Sequence, residues 1–292
     1  MDVYRTPDER FEGLPGYAFE PHYVEVGGMR MHHLDEGSGQ PVLLFHGEPT
    51  WSYLYRKVIA ALAPRARCIA PDYLGFGRSD KPVDRDWYSY DRHCETIAEY
   101  AELLDFKDAT VVVQDWGGPI GLRFAVENPD RVARLVILNT GLYSGRPPNE
   151  AWFRFRDFVR RVGTDLRPGQ LINVTAGGAL PPEIVEAYDA PWPTPESKSG
   201  VLMFPELVTT SDDHPSAEAM RRVRDALRAW EKPALVLFSD SDPIFSTKTA
   251  ERMSELIPGA GPAEFVEGAG HFLQEQKGEE IADRIARFLT ET

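Results

Sequence analysis

The chain has 292 residues, 42% of them hydrophobic, with 32 basic and 46 acidic side chains and a formal charge of −14. That length allows one large core or two smaller ones, and the acidic surplus disfavours phosphate backbones and anionic membrane surfaces as partners. The start, Met1-Asp2-Val3-Tyr4-Arg5, has no basic or apolar leader segment and no apolar run is long enough to cross a bilayer, so a cytoplasmic protein without nucleic-acid or membrane partners is expected. In chain order, His22–Val26 and Met29–Leu34 flank Gly27-Gly28 and read as a β-hairpin. Short apolar runs at Val42–Phe45, Cys68–Ala70, Thr110–Val113, Leu135–Leu138, Leu235–Phe238 and Glu264–Val266 read as six further strands. Helical patterns at Tyr53–Leu62, Asp91–Leu104 and Gly118–Asn128 lie between them, so an α/β fold with parallel, right-handed connections is expected. From Tyr143 to His214 no strand is evident, and Pro147-Pro148, Pro181-Pro182 and Pro191-Trp192-Pro193 punctuate the segment. It is too long for an ordinary loop and is expected to form a helical cap, residues 143–214, inserted into a core of 1–142 and 215–292. The two cysteines, Cys68 and Cys94, are too few for a disulfide framework or thiolate metal site and are expected to be small core residues.

The fifth strand ends in Val113-Gln114-Asp115-Trp116-Gly117-Gly118. A carboxylate just past the carboxyl end of a buried parallel strand, followed by two glycines and a helix, has the layout of a nucleophile elbow with Asp in place of Ser. The alternative reading of Asp115 is a helix N-cap. A carboxylate suits displacement at saturated carbon, giving an ester that a neutral histidine hydrolyses by taking a proton from water. Of seven histidines, His271 sits in a small-residue loop directly after the last strand, whereas His46 is placed to orient the loop after the third strand and His32 and His33 to serve structure. An acid near the end of the sixth or seventh strand is needed to hold the tautomer. The sixth ends in Asn139-Thr140-Gly141, without one; the seventh ends in Ser239-Asp240-Ser241-Asp242-Pro243, where the turn fixed by Pro243 favours Asp242 over Asp240. The ester's oxyanion needs two N–H donors, expected from the backbones of Trp116 and Glu48, with Gly47 permitting a sharp turn.

The order Asp115, Asp242, His271 matches nucleophile, acid and histidine in α/β-hydrolases. The stretches His46-Gly47-Glu48-Pro49-Thr50-Trp51-Ser52-Tyr53-Leu54-Tyr55-Arg56, Gly75-Phe76-Gly77-Arg78-Ser79-Asp80-Lys81-Pro82, Gln114-Asp115-Trp116-Gly117-Gly118, Ala187-Tyr188-Asp189-Ala190-Pro191 and Gly270-His271-Phe272 make the chain resemble the haloalkane dehalogenases, in the branch with Glu after His-Gly. The resemblance runs nearly end to end. It implies a mostly parallel eight-stranded sheet flanked by helices, with a helical cap. It also implies cofactor-free and metal-free conversion of a small haloalkane and water to an alcohol, halide and a proton by a monomer or weak homo-oligomer. On that pattern Asp115 is the nucleophile, His271 the base, Asp242 its partner and Trp116 one halide ligand. Glu48, taken as ionised, has no proton to offer the halide. The family's cap tryptophan is replaced by Phe155 ahead of Arg156-Asp157-Phe158, so the second donor is expected to be Trp152, one helical turn earlier, with Phe155 the competing position. Trp51 and Trp192 are expected in walls or core. An epoxide hydrolase with the same triad, using Tyr143 and Tyr188 as acids, and a non-catalytic ligand-binding protein on the same fold are the alternatives.

Overall fold

The unbroken apolar runs become the inner strands of a single sheet. The computed structural model describes residues 1–143 and 148–292. Its strands are β1 (His22–Val26), β2 (Met29–Glu36), β3 (Pro41–Phe45), β4 (Arg67–Pro71), β5 (Ala109–Gln114), β6 (Val132–Leu138), β7 (Ala234–Ser239) and β8 (Glu264–Val266). They form an eight-stranded sheet in the order β8-β7-β6-β5-β3-β4-β2-β1. From β4 to β8 every pairing is parallel; β2 runs antiparallel to both β1 and β4. Every residue of β5 and β7 is buried, as expected of strands covered by helices on both faces.

The helices α1 (Arg56–Leu62), α2 (Tyr90–Leu103) and α3 (Gly117–Glu127) connect the strands. The pattern predicted over Tyr53–Leu62 divides into a 3-10 turn, Ser52–Tyr55, and α1; the Asp72 carboxylate accepts the Ser52 N–H at 2.7 Å, satisfying one of the free donors at the start of the segment. Val3–Tyr4 pairs antiparallel with Lys81–Pro82 in a small ribbon too short to carry a periodic signal.

Between β6 and β7 no strand occurs among the described residues. The chain runs instead through α4 (Glu150–Val162), α5 (Pro168–Thr175), α6 (Pro182–Asp189), α7 (Ser199–Met203) and α8 (Ala217–Leu227). Asn149 caps α4, its side chain accepting the Trp152 N–H at 3.0 Å. Pro168 and Pro182 stand in the first turns of α5 and α6, where their missing N–H costs nothing. Pro147, one of the predicted punctuation residues, lies outside the described residues. The helices α9 (Thr247–Leu256) and α10 (Leu273–Glu291) complete the fold.

A buried polar cluster ties these layers together. The Arg56 guanidinium of α1 donates to both oxygens of Glu275 in α10, at 2.6 and 2.8 Å, and the Tyr188 hydroxyl of α6 donates to the same carboxylate at 2.6 Å. Cys68 and Cys94 are buried free thiols.

Candidate active site

After β5 the chain turns at Asp115, whose φ of +49° is in the left-handed region. For a residue with a side chain that conformation costs of order 1–3 kcal/mol and survives only where the surroundings impose it. Here the Asp115 N–H donates to the Asn139 carbonyl at 3.0 Å, and the Asp115 carbonyl accepts from the Gly118 N–H at 2.9 Å and the Thr140 hydroxyl at 2.6 Å. Close approach dictates the flanking glycines. A Cβ on Gly117 would overlap the Phe45 carbonyl, and one on Gly47 would overlap the Asp115 side chain. Gly47 opens the turn that the Thr50 N–H closes on its carbonyl at 3.0 Å, as the sequence implied, and its missing side chain also makes room for the carboxylate.

The Glu48 backbone N–H donates to Asp115 Oδ1 at 2.8 Å, and the Trp116 backbone N–H also supports that carboxylate. Burial pushes the Asp115 carboxyl up, while His271 and the two N–H donors hold the rise down. His271 comes from the loop between β8 and α10; its Nε2 is 3.7 Å from Asp115 Oδ2, and its Nδ1 is 2.9 Å from Asp242 Oδ2. Burial opposes charge on this ring, but the Asp242 and Asp115 carboxylates outweigh it and raise the imidazole to about 8. Asp242 is fixed through its other oxygen by the Ile244 N–H at 2.7 Å, in the turn containing Pro243. Asp240 instead accepts from the Gly268 N–H at 3.1 Å and the Ser241 hydroxyl at 2.9 Å, and is exposed. Asp115, His271 and Asp242 therefore meet, and Asp240 stays outside. His46 Nδ1 is 2.9 Å from the Gly47 carbonyl, and the buried His32 is 2.7 Å from Asp72, each within the framework around the site.

Two supporting residues escaped the sequence reading. The Asn139 amide donates to the backbone carbonyls of His271 and Gly270 at 3.1 and 3.0 Å and also to the Ser239 hydroxyl at 2.8 Å, while its oxygen accepts the Ser239 N–H at 2.8 Å. It thus joins β6, β7 and the histidine loop. The Gln114 amide donates to the His271 carbonyl at 3.2 Å. Both are fully buried polar groups at the ends of apolar strands, and that placement, which demands a partner, was the available signal.

A cavity of about 650 Å³ opens over these groups, lined by Glu48, Asp115, Trp116, Trp152, Phe155 and His271 among mostly apolar neighbours. Neither Trp116 nor Trp152 donates its indole N–H to a protein group among the described residues, whereas Trp192 gives its own to the Gly75 carbonyl at 3.2 Å. Trp51 is fully buried and stacked on Tyr53. Tyr143 lines the cavity, but Tyr188 does not: it is buried and bound to Glu275, which removes it as an acid for epoxide opening. Glu48 also departs from expectation. Its side chain is buried, Oε1 has no hydrogen-bond partner, and burial followed by the nearby Asp115 charge pushes its carboxyl well above the usual carboxylate range. Both influences favour the neutral form over the ionised one the sequence reading assumed.

Residues 40–278 match the pattern of the α/β hydrolase fold family. The strand order and the elbow at Asp115 are those of that class. Relatives narrow it further. A haloalkane dehalogenase of Mycobacterium marinum is 43% identical over 98% of this chain and 99% of its own, and one of Psychrobacter cryohalolentis is 42% identical over 99% and 98%. The tetrameric haloalkane dehalogenase DpaA of Paraglaciecola agarilytica superposes with a TM-score of 0.91 at 34% identity, covering 97% of both chains. The chain belongs to the haloalkane dehalogenase family.

Proposed function

We propose that this protein hydrolyses haloalkanes, with Asp115 as nucleophile, His271 as general base, Asp242 as the group that orients it, and the helical segment 143–214 as a cap over the site. The observation that carries this reading is an ionisable elbow carboxylate facing an apolar cavity, 3.7 Å from a histidine whose far nitrogen is 2.9 Å from a second carboxylate. Asp115 attacks the halogen-bearing carbon from the face opposite the halogen; the carbon–oxygen bond forms as the carbon–halogen bond breaks, and the halide leaves with the bonding pair. Its charge is received by the Trp116 indole and, on the cap side, by Trp152. An indole N–H is suited to this because it donates a hydrogen bond without carrying a proton that is easily lost.

His271 then takes a proton from water, and the hydroxide so formed attacks the ester carbonyl. The oxyanion is met by the backbone N–H groups of Glu48 and Trp116, the same donors that hold the free carboxylate. Collapse restores Asp115 and frees the alcohol; the proton returns to solvent from His271. No step calls on a cofactor. The protein is proposed to act as a monomer or weak homo-oligomer on small halogenated hydrocarbons, and light scattering that finds a stable tetramer would overturn the first part of that statement.

Halide release and alcohol formation from short chloro- and bromoalkanes, measured beside diol formation from simple epoxides, test the reading. Halide release that disappears in a folded Asp115→Ala protein is expected. Turnover of epoxides alone would replace the proposal by epoxide hydrolysis.

A further inference from the structure

We propose that Asn139 is the positioning residue of the general base: its side-chain amide, together with that of Gln114, clamps the backbone carbonyl of His271 and holds the ring at its working distance from Asp115. The proposal extends the dehalogenase reading and rests on it. Asn139 follows β6 directly and is fully buried. Its Nδ2 donates to the His271 carbonyl at 3.1 Å and to the Gly270 carbonyl at 3.0 Å. Gln114, the last residue of β5, brings a second amide donor to the same His271 carbonyl at 3.2 Å. The loop so held contains Gly268, at a φ of +67°, and Gly270, and glycine has more backbone freedom to lose than any other residue. Fixing the carbonyl fixes the backbone beside the ring, and Asp242, 2.9 Å from Nδ1, then fixes the ring itself.

The same residue reaches the nucleophile. The Asn139 carbonyl accepts the Asp115 N–H at 3.0 Å, and the hydroxyl of the next residue, Thr140, donates to the Asp115 carbonyl at 2.6 Å. Nucleophile and base are thus both referred to one residue, whose backbone serves the first and whose side chain serves the second. The side chain also ties in the strand that leads to Asp242: Oδ1 accepts the Ser239 N–H and Nδ2 donates to the Ser239 hydroxyl, both at 2.8 Å. The φ of Asn139 is +21°, and asparagine tolerates positive φ better than most residues.

This division of labour separates the two half-reactions. Alkylation needs the Asp115 carboxylate and no base, and a substitution at Asn139 leaves the backbone carbonyl that holds Asp115 in place. Ester hydrolysis needs His271 aligned on water and ester, where a displacement of about 1 Å can cost about 10²-fold. Asn139→Gly keeps the positive φ without strain and removes the amide. With a short terminal bromoalkane it is expected to alkylate at the wild-type rate and to hydrolyse the ester about 10- to 100-fold more slowly, so that alkylated protein accumulates in rapid-quench mass spectrometry. Gln114→Leu cuts the second donor while sparing Ser239, and carries the same measurement if the glycine variant fails to fold. Ser239→Ala removes a neighbour of the Asn139 amide but neither carbonyl contact, and should lower thermal stability without accumulation of the adduct.

A second readout needs no haloalkane. Burial opposes charge on His271, and the Asp242 and Asp115 carboxylates outweigh it to place the imidazole at about 8. A ring released from the clamp moves back toward the ordinary histidine value of about 6.5. Titration of labelled histidines by nuclear magnetic resonance, with His271→Gln supplying the assignment, should therefore show a lower midpoint in Asn139→Gly. Equal slowing of both half-reactions, or ester hydrolysis at the wild-type rate with the His271 midpoint unmoved, would overturn the proposal. If the wild type forms no alkyl adduct on Asp115 from any haloalkane, the dehalogenase reading fails instead, and the midpoint still decides whether Asn139 holds the ring.

Discussion

At the scale of single residues, His271 separates the two halves of the proposed reaction. Alkylation of Asp115 needs an ionised carboxylate but no base, so His271→Gln should release about one halide per site and stop, carrying the alkyl group on Asp115. Mass spectrometry of the intact protein reads the adduct, and its decay should be slower than in the wild type by ~10²–10⁴. The pH dependence has a definite sign. A base must be neutral to accept a proton, so hydrolysis of the ester slows as pH falls through the imidazole's value. That value is about 8 in the free protein, where Asp115 helps raise it. Once esterified, Asp115 is neutral and its contribution vanishes, so the midpoint in single-turnover hydrolysis is expected below the one His271 shows in the free protein. Equal midpoints would mean that Asp115 does not govern the charge on His271. On the cap side, Trp152→Phe should weaken halide binding and slow carbon–halogen cleavage by about 10²–10³, as removal of one oxyanion-hole donor does. If it is silent while Phe155→Trp raises halide affinity, Trp152 is a packing residue. Asp115, Asp242 and His271 were legible as a group because each follows a strand whose apolar run marks where it ends. The upward push on the Glu48 carboxyl was not, since it depends on burial and on a neighbour 67 positions away, neither of which motif spacing reveals.

Among elements, the eight strands of the sheet and the helices α1, α2 and α3 could be read from periodicity, because burial on two faces writes a continuous apolar run and burial on one writes a helical stripe; the later helices were expected only as a helical cap or not located at all. The Val3–Tyr4 ribbon and the split of the Tyr53–Leu62 pattern could not: one has two residues per strand, and the other is a change from 3-10 to α winding within one apolar stripe. The polar brace is another such feature. Arg56, Tyr188 and Glu275 lie in three helices, α1, α6 and α10, and each would pass for a surface residue in its own helix. With Arg56 3% and Glu275 2% exposed, truncating one partner leaves an uncompensated buried charge. Glu275→Gln should therefore destabilise the fold by about 3–5 kcal/mol, because it leaves the Arg56 guanidinium buried without its carboxylate; Lys57, 3.1 Å from Glu275 Oε1 and partly exposed, can turn to solvent instead. Burial opposes the Glu275 charge, but Arg56 and the other partners prevail and hold its carboxyl below the usual range. A depressed folded value means stability that is fully present above the unfolded value and is lost as pH falls through the folded one. Thermal unfolding as a function of pH should show an acid-side loss in the wild type that is smaller in Glu275→Gln. Parallel curves would show that the brace contributes no net charge stabilisation.

For the whole molecule, the lack of a strand pattern from Tyr143 to His214 in the sequence led to the expectation of a helical segment, and the described residues between β6 and β7 do carry helices, but nothing in that pattern measured the space beside them. Cavity volume depends on how α4, α5 and the loop after β7 meet, a sum of long-range contacts with no local signature. The cavity of about 650 Å³ is lined at its outer end by Phe158, Val162, Leu171 and Val174, of which Phe158 and Val174 are 37% and 71% exposed. Pockets of this order accommodate ligands far larger than a two-carbon halide. With the halogen-bearing carbon held at Asp115, each further methylene of a linear substrate meets apolar wall instead of water, a gain of about 0.8 kcal/mol or roughly fourfold in binding. For a series of terminal bromoalkanes, kcat/KM should therefore rise with chain length until the chain reaches the mouth, and KM should carry most of the change, since the remote contacts are the same before and during reaction. Leu171→Trp, placed at the outer end, should shorten the preferred chain without altering the rate for the smallest substrate. If the smallest bromoalkane is already the best substrate and Leu171→Trp leaves the series unchanged, the outer cavity takes no part in substrate binding.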